Sequence, residues 1–273
     1  MADIIRDTWL KRNLLRELVV RDLKLRYSQP FLGFVWAFLT PFLTTVVFYL
    51  IFSLFLKVRV VGVPFFLYLA SAIFGWGFFQ DSLLGCCGSL VNNRNILKET
   101  KIPHYLIPLA ICLANFVNFL PSLVVVIILS VFVLKGLSFF ILFLPVILVL
   151  HLFYAFGLGL TLAVIYVRWR DLRYLTESVL LLIFYITPIV YPLDYVHQAL
   201  PGQLFLIYNL NPFVGVVNVY RICLMKGFYK NIVMEKLLFT NFIWPFVFAF
   251  FCLGLGFYLY FLNKDKINDY LAY

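Results

Sequence analysis

Six stretches of mostly apolar residues, each near the length of a membrane-spanning helix, dominate the 273-residue sequence. A bilayer core about 30 Å thick requires roughly 20 apolar residues in helical form. The chain is 64% hydrophobic and 12% charged, which leaves too few polar side chains to cover a water-soluble globule of this size. We therefore predict an all-α polytopic membrane protein that forms a single domain over residues 1–273, with six transmembrane helices between residues 31 and 262. We place these helices at about 31–56, 64–90, 106–134, 138–167, 175–191 and 238–262, and expect the first of them to remain as a span rather than to be cleaved as a signal.

The segment before the first run, residues 1–30, is polar and basic. Residues 10–19 place Leu10, Leu14, Leu15, Leu18 and Val19 on one side of a helix, and Lys11 alone breaks the pattern. We expect an amphipathic helix that lies in the cytoplasmic membrane interface with its cations near anionic headgroups. The alternative is an ordinary helix packed against a partner. The candidate headgroup-binding residues are Arg12, Arg16, Arg21, Lys24, Arg26 and Tyr27.

A polar segment at residues 92–103, which we call the island, separates the second run from the third. It carries three bases and one acid, and the positive-inside rule therefore places it in the cytoplasm. Since it offers no nucleophile with a base and no phosphate-binding loop, contact with another protein is the favoured use, and a solvated turn is the alternative. Pro103 should end a short helix here, and Ile96, Leu97 and Ile102 should enter an apolar cleft of the partner. The candidate contact residues are Asn92, Arg94, Ile96, Leu97, Lys98, Glu99, Lys101 and Pro103.

In the predicted six-span topology, the side of the membrane that contains the N-terminus has more lysines and arginines than the other side. This bias predicts that both termini are cytoplasmic. Residues 192–236 form the one ambiguous segment, and we assign its bases, including Arg221, to the outer side. Its two short apolar pieces favour a re-entrant helical pair on the outer face between the fifth and sixth helices, rather than one further span. The candidate outer-gate residues mark the breaks of this segment: Pro192, Pro201, Gly202, Asn211 and Pro212.

The sequence offers little for catalysis. His104, His151 and His197 fall in a cytoplasmic segment, a span and an outer segment, so they predict no metal site and no shared base. The motifs of ATP-binding loops are missing, which argues against an intrinsic ATPase. The five cysteines, with Cys86 next to Cys87, have no disulfide or metal spacing and are expected to be buried apolar side chains. The bases are dispersed between apolar runs rather than gathered on one soluble face, so nucleic acid is not an expected partner.

Two features inside the runs are candidates for function. Asp81 is an acid well inside the second run, where a charge is costly and often functional; the alternative is that it lies near the inner interface and pairs with a base such as Arg26. The aromatic residues form 20% of the chain. Those at the start of the first run could line a pathway and offer flat surfaces to sugar rings, although lipid-facing positions are the alternative. These candidate channel aromatics are Phe34, Trp36, Phe38 and Phe42.

Four stretches resemble the membrane subunits of ABC type-2 exporters for lipid-linked polysaccharides, a family that includes O-antigen, capsule and teichoic-acid permeases. Residues 21–27, followed by 32–36 and Pro41, resemble the approach to the family's first span. Residues 92–103, followed by 107–109, resemble its cytoplasmic coupling segment. The charged turn at residues 168–173, which includes Arg168, Arg170 and Asp171, resembles the turn after the family's fourth span. The family's fifth span and outer re-entrant segment are resembled by Thr187–Pro192 together with Asn211–Phe213 and Arg221.

This resemblance implies a homodimer of six-span subunits in the inner (plasma) membrane, with two copies of a separate ABC ATP-binding subunit docked at the cytoplasmic face. ATP and Mg would be bound by that partner, and no cofactor by this chain. The substrate would be a long glycan on a polyprenyl diphosphate carrier. The residues alone indicate only a transporter subunit without its own energy source. The alternatives are a polytopic enzyme that acts on lipid-linked sugars and an ion-coupled carrier.

Overall fold

The structure is a computed structural model that describes residues 2–27, 33–60, 62–100, 102–230 and 232–272, with the backbone alone at 2, 3, 5, 232–240 and 268–272. Helices account for most of these ranges and no strand occurs within them, which confirms the all-α prediction. The helices are α1 (Ala2–Leu10), α2 (Arg12–Tyr27), α3 (Val35–Tyr49), α4 (Phe65–Cys87), α5 (Ser89–Asn92), α6 (Arg94–Glu99), α7 (Leu106–Leu134), α8 (Leu144–Tyr166), α9 (Leu172–Ile186), α10 (Leu193–Ala199), α11 (Gly202–Asn209), α12 (Pro212–Leu224) and α13 (Ile232–Ala272). A π-helical segment, Leu50–Phe55, continues α3, and short 3-10 turns occupy Phe139–Phe143 and Phe228–Lys230.

Four helical segments in the described ranges are long and apolar enough to cross a membrane: Val35–Phe55, Leu106–Leu134, Phe139–Tyr166 and Asn241–Ile267. They correspond to four of the six predicted runs. The run at 64–90 corresponds to α4. The run at 175–191 corresponds to α9, whose 15 residues extend only about 22 Å. The count of six spans therefore stays a prediction.

The helix α9 ends early because of the sequence Thr187–Pro188. Proline lacks an amide hydrogen and disfavours helical angles in the residue before it. Thr187 accordingly has extended backbone angles, and residues 187–192 continue outside the helix. The helical part of the fifth run is thus shorter than we predicted.

The N-terminal amphipathic segment consists of two helices rather than one. The break falls at Lys11, the residue that interrupts the apolar pattern. Leu18 of α2 is buried among side chains of α4, α7 and α8, and α2 packs along α7. Leu10, by contrast, lies on the separate helix α1 and is 66% exposed. The membrane-interface position of this segment stays a prediction.

The helix α12 is enclosed by protein on all sides, since every residue from Phe213 to Leu224 is buried. Its first turn is capped by Asn211, whose Oδ1 accepts a hydrogen bond from the Phe213 amide at 3.0 Å. At the other end, the hydroxyl groups of Ser138 and Ser130 donate to the carbonyls of Ile222 and Leu224. These side chains satisfy backbone groups that a helix terminus leaves unpaired.

Arg221 is fully buried within α12, although we had assigned it to an outer segment with the solvent-facing bases. Its guanidinium carbon lies 3.4 Å from the centre of the Tyr68 ring. Its Nη2 donates to the carbonyl of Ile189 at 3.0 Å and to that of Tyr68 at 3.4 Å. One arginine therefore joins α12, the first turn of α4 and the extended segment after α9.

The packing of rings shows how α12 lies beside α4. Phe213, at the start of α12, is 4.8 Å from Trp76 and 4.9 Å from Phe79, measured between ring centroids. Arg221, near its end, lies over Tyr68. The two helices therefore run antiparallel, and α12 begins beside the middle of α4 and ends beside its first turns.

The helices α8 and α13 approach each other most closely where both carry glycine. A Cβ atom added to Gly157 would lie 2.4 Å from backbone atoms of Cys252 and Leu253. One added to Gly256 would lie 2.5 Å from the carbonyl oxygen of Gly157. Glycine is needed here because only its lack of a side chain permits this backbone contact.

We expect Arg221→Ala to lower the free energy of unfolding by about 2–4 kcal/mol, because it removes charged hydrogen bonds and a desolvated cation–π contact. Thermal unfolding of the purified protein in detergent measures this loss. Arg170→Ala removes the same side chain from an exposed position and should leave the midpoint unchanged. Equal midpoints for the Arg221 variant and the wild type would contradict a structural role for Arg221.

Candidate functional site

A cavity of about 770 Å³ lies between α2, α3, α4, α7 and α9. We call it the central cavity. Its volume is within the range of ligand-binding cavities in proteins. Its lining combines aromatic rings with uncharged polar and charged groups, so it can contact both apolar and hydroxyl-rich surfaces. The polar and charged lining residues are Arg26, Tyr27, Thr40, Thr44, Gln80, Asp81, Asn115, Asn118, Ser122 and Glu177.

Arg26 fixes the polar end of the central cavity. Its Nη2 lies 2.9 Å from a carboxylate oxygen of Asp22, four residues earlier on α2. Its Nη1 donates to the Oδ1 of Asn115 on α7 at 2.5 Å. Burial raises the pKa of Asp22 above its ordinary value of 3.8, while Arg26 and Arg21 oppose this shift. Arg26 therefore holds α2 against α7 and offsets the cost of a partly buried carboxylate.

Asp81 lines the same cavity as Arg26, but the two side chains do not form an ion pair. Among the side chains that the structure describes, no ion pair within 4.0 Å includes Asp81. Arg26 makes its direct contacts with Asp22 and Asn115, and it acts on Asp81 through the attraction of its charge at longer range. Asp81 is instead an acid exposed to the cavity.

The aromatic wall of the cavity differs from the predicted one. Trp36 lines it as expected. Phe34, Phe38 and Phe42, however, do not line it. Phe34 precedes α3 and packs on Tyr27, with ring centroids 5.3 Å apart. Phe38 packs on Phe74 at 6.3 Å and Phe42 on Phe66 at 6.1 Å, again between centroids. Their spacing of four residues marked a helical face correctly, but sequence alone did not show which face met the cavity.

The observed wall joins three helices. The ring of Phe184 on α9 lies 5.7 Å from that of Phe48 on α3 and 5.6 Å from that of Trp76 on α4, measured between centroids. All three residues line the central cavity. Such contacts leave ring faces and edges accessible from the cavity, and sugar rings can stack on aromatic surfaces of this kind.

The predicted headgroup-binding residues do not form one cluster. Arg12, Arg16 and Lys24 are exposed on the N-terminal helices. Arg21 is half-buried and its Nη2 donates to the Oδ1 of Asn93 in the island at 2.5 Å. Arg26 reaches the central cavity. Since Arg21 and Arg26 lie on one helix, α2 connects the island to the central cavity.

The island begins at the last residue of α5 and contains one short helix, α6. Its helix ends at Glu99, before Pro103, since Thr100 already has extended backbone angles. Leu97 is only 8% exposed and packs in the chain's own cluster with Leu18 and Leu106, so its predicted insertion into a partner does not fit its position. Lys101 lies outside the described residues. The exposed residues of the island are all polar: Asn92, Arg94, Asn95, Lys98, Glu99 and Thr100.

The predicted outer-gate residues mark helix boundaries. Pro192 precedes α10, Pro201 precedes Gly202 at the start of α11, and Asn211 precedes Pro212 at the start of α12. The side-chain Nδ2 of Asn211 also donates to the Thr187 hydroxyl at 3.0 Å. The breaks thus lie where we predicted, and the last of them is fixed by side-chain hydrogen bonds.

Several cavity residues were missed by the sequence analysis. Asn115, Asn118 and Ser122 are spaced by three and four residues within an apolar run, which places them on one helical face. That polar stripe was a visible signal of a cavity-facing surface. The burial of Arg221, which lies outside the cavity, was also not predicted, because a single base in a segment broken by prolines is typical of a loop.

Comparison with known proteins places these features in a family. The family model described as ABC-2 type transporter matches residues 13–225. The chain belongs to the ABC-2 type transporter family. The match runs from α2 to the end of α12 and so contains the island and every lining residue of the central cavity. It confirms the resemblance drawn from the four sequence stretches.

Two curated relatives within this family share the chain's length. An O-antigen export system permease protein RfbA from Myxococcus xanthus is 30% identical over 221 residues, which cover 81% of this chain and 84% of the relative. A protein of the same name from Klebsiella pneumoniae is 28% identical over 232 residues, with coverage of 85% and 87%. For this ABC-2 family member, the similarity extends over most of the chain.

We expect Arg26→Gln to make stability more sensitive to pH, because it removes a group that opposes the raised pKa of Asp22. A carboxyl group whose pKa is raised on folding stabilises the fold when protonated, so stability falls as pH rises through that pKa. In the variant, this fall should extend to higher pH and the thermal midpoint should recover on acidification. The midpoint measured between pH 4 and pH 8 tests this expectation. Arg16→Gln, an exposed change on the same helix, should follow the wild type; if Arg26→Gln does so as well, the proposed role of Arg26 is wrong.

Proposed function

We propose that this chain is the membrane-spanning permease subunit of an ATP-driven exporter that moves a lipid-linked polysaccharide, such as O-antigen, from the cytoplasm to the outer face of the inner membrane. The relatives named as O-antigen export permeases support the substrate class. The observation that carries the proposal is the central cavity, whose aromatic wall and polar end suit a glycan. The chain itself would be no enzyme, and ATP and Mg would belong to two copies of a separate ATP-binding subunit.

Six spans with both termini in the cytoplasm fit the packing. In that arrangement α9 crosses the inner half of the membrane, and residues 187–192 complete the crossing inside protein. The helices α11 and α12 form the re-entrant pair, and α12 rises beside the outer half of α4. Irregular backbone at membrane depth needs protein partners, and Asn211 and Arg221 supply them by bonding the Phe213 amide and the Ile189 carbonyl.

A homodimer would complete the pathway. In the most apolar window of Val35–Phe55, only 6% of residues are buried within the chain, compared with 39% for Phe139–Tyr166. The helix α9 also exposes apolar side chains, among them Leu181 and Leu182. Both helices border the central cavity. A second copy packed on these faces would cover them and enclose the cavity between subunits.

The island would be the docking point of the ATP-binding subunit. Its exposed residues are polar, so recognition would depend on charge and hydrogen bonding rather than on the insertion of Leu97. Movement of the island would reach the central cavity through α2, by way of the Arg21–Asn93 and Arg26–Asn115 hydrogen bonds. Phosphate groups of the lipid carrier would meet the exposed bases of α2 at the same end.

The outer gate would depend on α11 more than on α12. Burial and the contacts of Arg221 hold α12 in place. The helix α11 is largely exposed: Leu204, Leu206 and Ile207 each have more than half of their surface accessible. A segment with few buried contacts opens at lower cost, so α11 would move about the break at Pro201, while side-chain hydrogen bonds hold the break at Asn211.

Reversal of charge on the island should weaken capture of the ATP-binding subunit. We expect Arg94→Glu with Lys98→Glu to lower co-purification of a co-expressed ABC ATP-binding subunit, and with it export of polysaccharide to the cell surface, because attraction at a polar interface becomes repulsion. Lys57→Glu with Arg59→Glu makes the same charge change at exposed positions beyond α3 and should preserve both.

Comparison of Leu97→Asp with the charge-reversed variant distinguishes an effect on folding from an effect on docking. Burial of a leucine contributes about 1.5–3 kcal/mol, so this variant should lower the yield of folded permease. The charge-reversed island variant should keep its yield. Full capture and full export in the charge-reversed variant would contradict docking at the island.

A further inference from the structure

The charged turn at residues 168–173 borders a second cavity that the proposed function does not use. This cavity, of about 390 Å³, lies between the ends of α8 and α13, and we call it the α8–α13 cavity. Residues from α8 and the charged turn form one wall, and residues from α13 form the other. They are Val164, Ile165, Arg168 and Trp169 on the first wall, and Leu259, Asn263 and Lys266 on the second.

Both walls change from apolar to basic in the same direction. On α13, Leu259, Asn263 and Lys266 are spaced by four and three residues, which places them on one helical face in the order apolar, amide, ammonium. On the other wall, Ile165 is followed by Arg168 where the chain leaves α8. The cavity therefore has an apolar part toward the middle of the helices and a cationic part at their ends.

The charges of this cavity favour an anion, since among the side chains that the structure describes its lining contains two cations and no carboxylate. The Nδ2 of Asn263 donates to the Leu259 carbonyl at 2.9 Å, and its Oδ1 can accept a hydrogen bond from a hydroxyl group. Basic cavities between the cytoplasmic ends of membrane helices are typical sites for anionic lipid headgroups.

The surroundings favour a lipid over a protein or a free ion. Trp169 is 62% exposed beside Arg168, whose guanidinium carbon lies 5.9 Å from the indole centre. Exposed tryptophan is typical of the level of the headgroups. Tyr258 and Leu262, next to the lining face of α13, are also more than half exposed. Apolar surface thus continues from the cavity along α13, where acyl chains would lie.

We propose that the α8–α13 cavity binds a bilayer phospholipid with an anionic phosphodiester headgroup, of the phosphatidylglycerol class. Arg168 and Lys266 pair with the phosphodiester, and Asn263 accepts a hydrogen bond from the glycerol headgroup. Val164, Ile165 and Leu259 contact the start of the acyl chains. The bound lipid joins the ends of α8 and α13, beyond the glycine contact that holds their middles together. This site is separate from the central cavity and does not depend on its proposed substrate.

The test is the affinity of the purified full-length chain in detergent for phosphatidylglycerol and phosphatidylcholine, measured by lipid titration in native mass spectrometry. Each base near an anionic lipid contributes roughly a fivefold gain, so Arg168→Gln with Lys266→Gln should weaken phosphatidylglycerol binding about 30-fold. Lys57→Gln with Arg59→Gln removes one lysine and one arginine from exposed positions elsewhere and should leave it unchanged. If the double variant does not fold, Lys266→Gln alone should show the fivefold loss, because Lys266 is exposed.

Equal affinity for the two lipids, or unchanged phosphatidylglycerol affinity in the Lys266 variants, overturns the proposal. Two further probes identify the source of the phosphate. Inorganic phosphate that competes as strongly as phosphatidylglycerol indicates a free-ion site, and polyprenyl diphosphate that binds more tightly indicates a substrate site; either result overturns the proposal. The double variant could also fail to co-purify with the ATP-binding subunit while its affinity for phosphatidylglycerol stays unchanged. The charged turn would then be a protein contact, and this result also overturns the proposal.

Discussion

Backbone groups left unpaired where α9 ends and α12 begins are the constraint on which this part of the protein depends. A carbonyl or amide left without a partner in an apolar interior costs several kcal/mol. Helix α9 ends early and α12 begins beside the middle of α4, so both termini need partners. Side chains provide them: the Tyr191 hydroxyl donates to the carbonyls of Tyr185 and Ile186 at the end of α9, and Asn211 caps α12. Arg221 donates to the carbonyl of Ile189 in the extended segment after α9. Arg221 is retained in an apolar setting because it joins three segments at once.

The central cavity is bordered by α4, the helix against which α12 packs. Phe213 packs against Trp76 and so helps to hold α12 against the wall of α4. Few side chains of α3 are buried, and the space between α3, α7 and α9 stays open. At the other end, Arg26 closes the gap between α2 and α7. In the proposed mechanism, the fixed contacts of α12 and the bridge through α2 would let a change at the island alter the shape of the cavity.

The sequence predicted the helical class, most helix positions, the breaks at Pro201 and Asn211, and the family. These features depend on local chemistry: length of apolar runs, proline geometry and charge between runs. The burial of Arg221 and Leu97 could not be predicted in this way, because it depends on which distant segments meet. The same reason explains the error at Phe34, Phe38 and Phe42, where the helical spacing was right and the cavity-facing side of α3 was not. The stripe of Asn115, Asn118 and Ser122 was readable and was overlooked.

The central claim is that the cavity between α3, α4, α7 and α9 is the path of the glycan, and cysteine labelling tests it most directly. All five natural cysteines are buried, so a single introduced cysteine is the accessible thiol. Thr44→Cys lines the cavity, and Val149→Cys lies on an exposed face of α8, outside both the cavity lining and the proposed subunit contact. We expect a bulky maleimide at Thr44→Cys to stop export and a glycan in transit to slow its labelling, with neither effect at Val149→Cys. Full export by the labelled Thr44→Cys protein would contradict the claim.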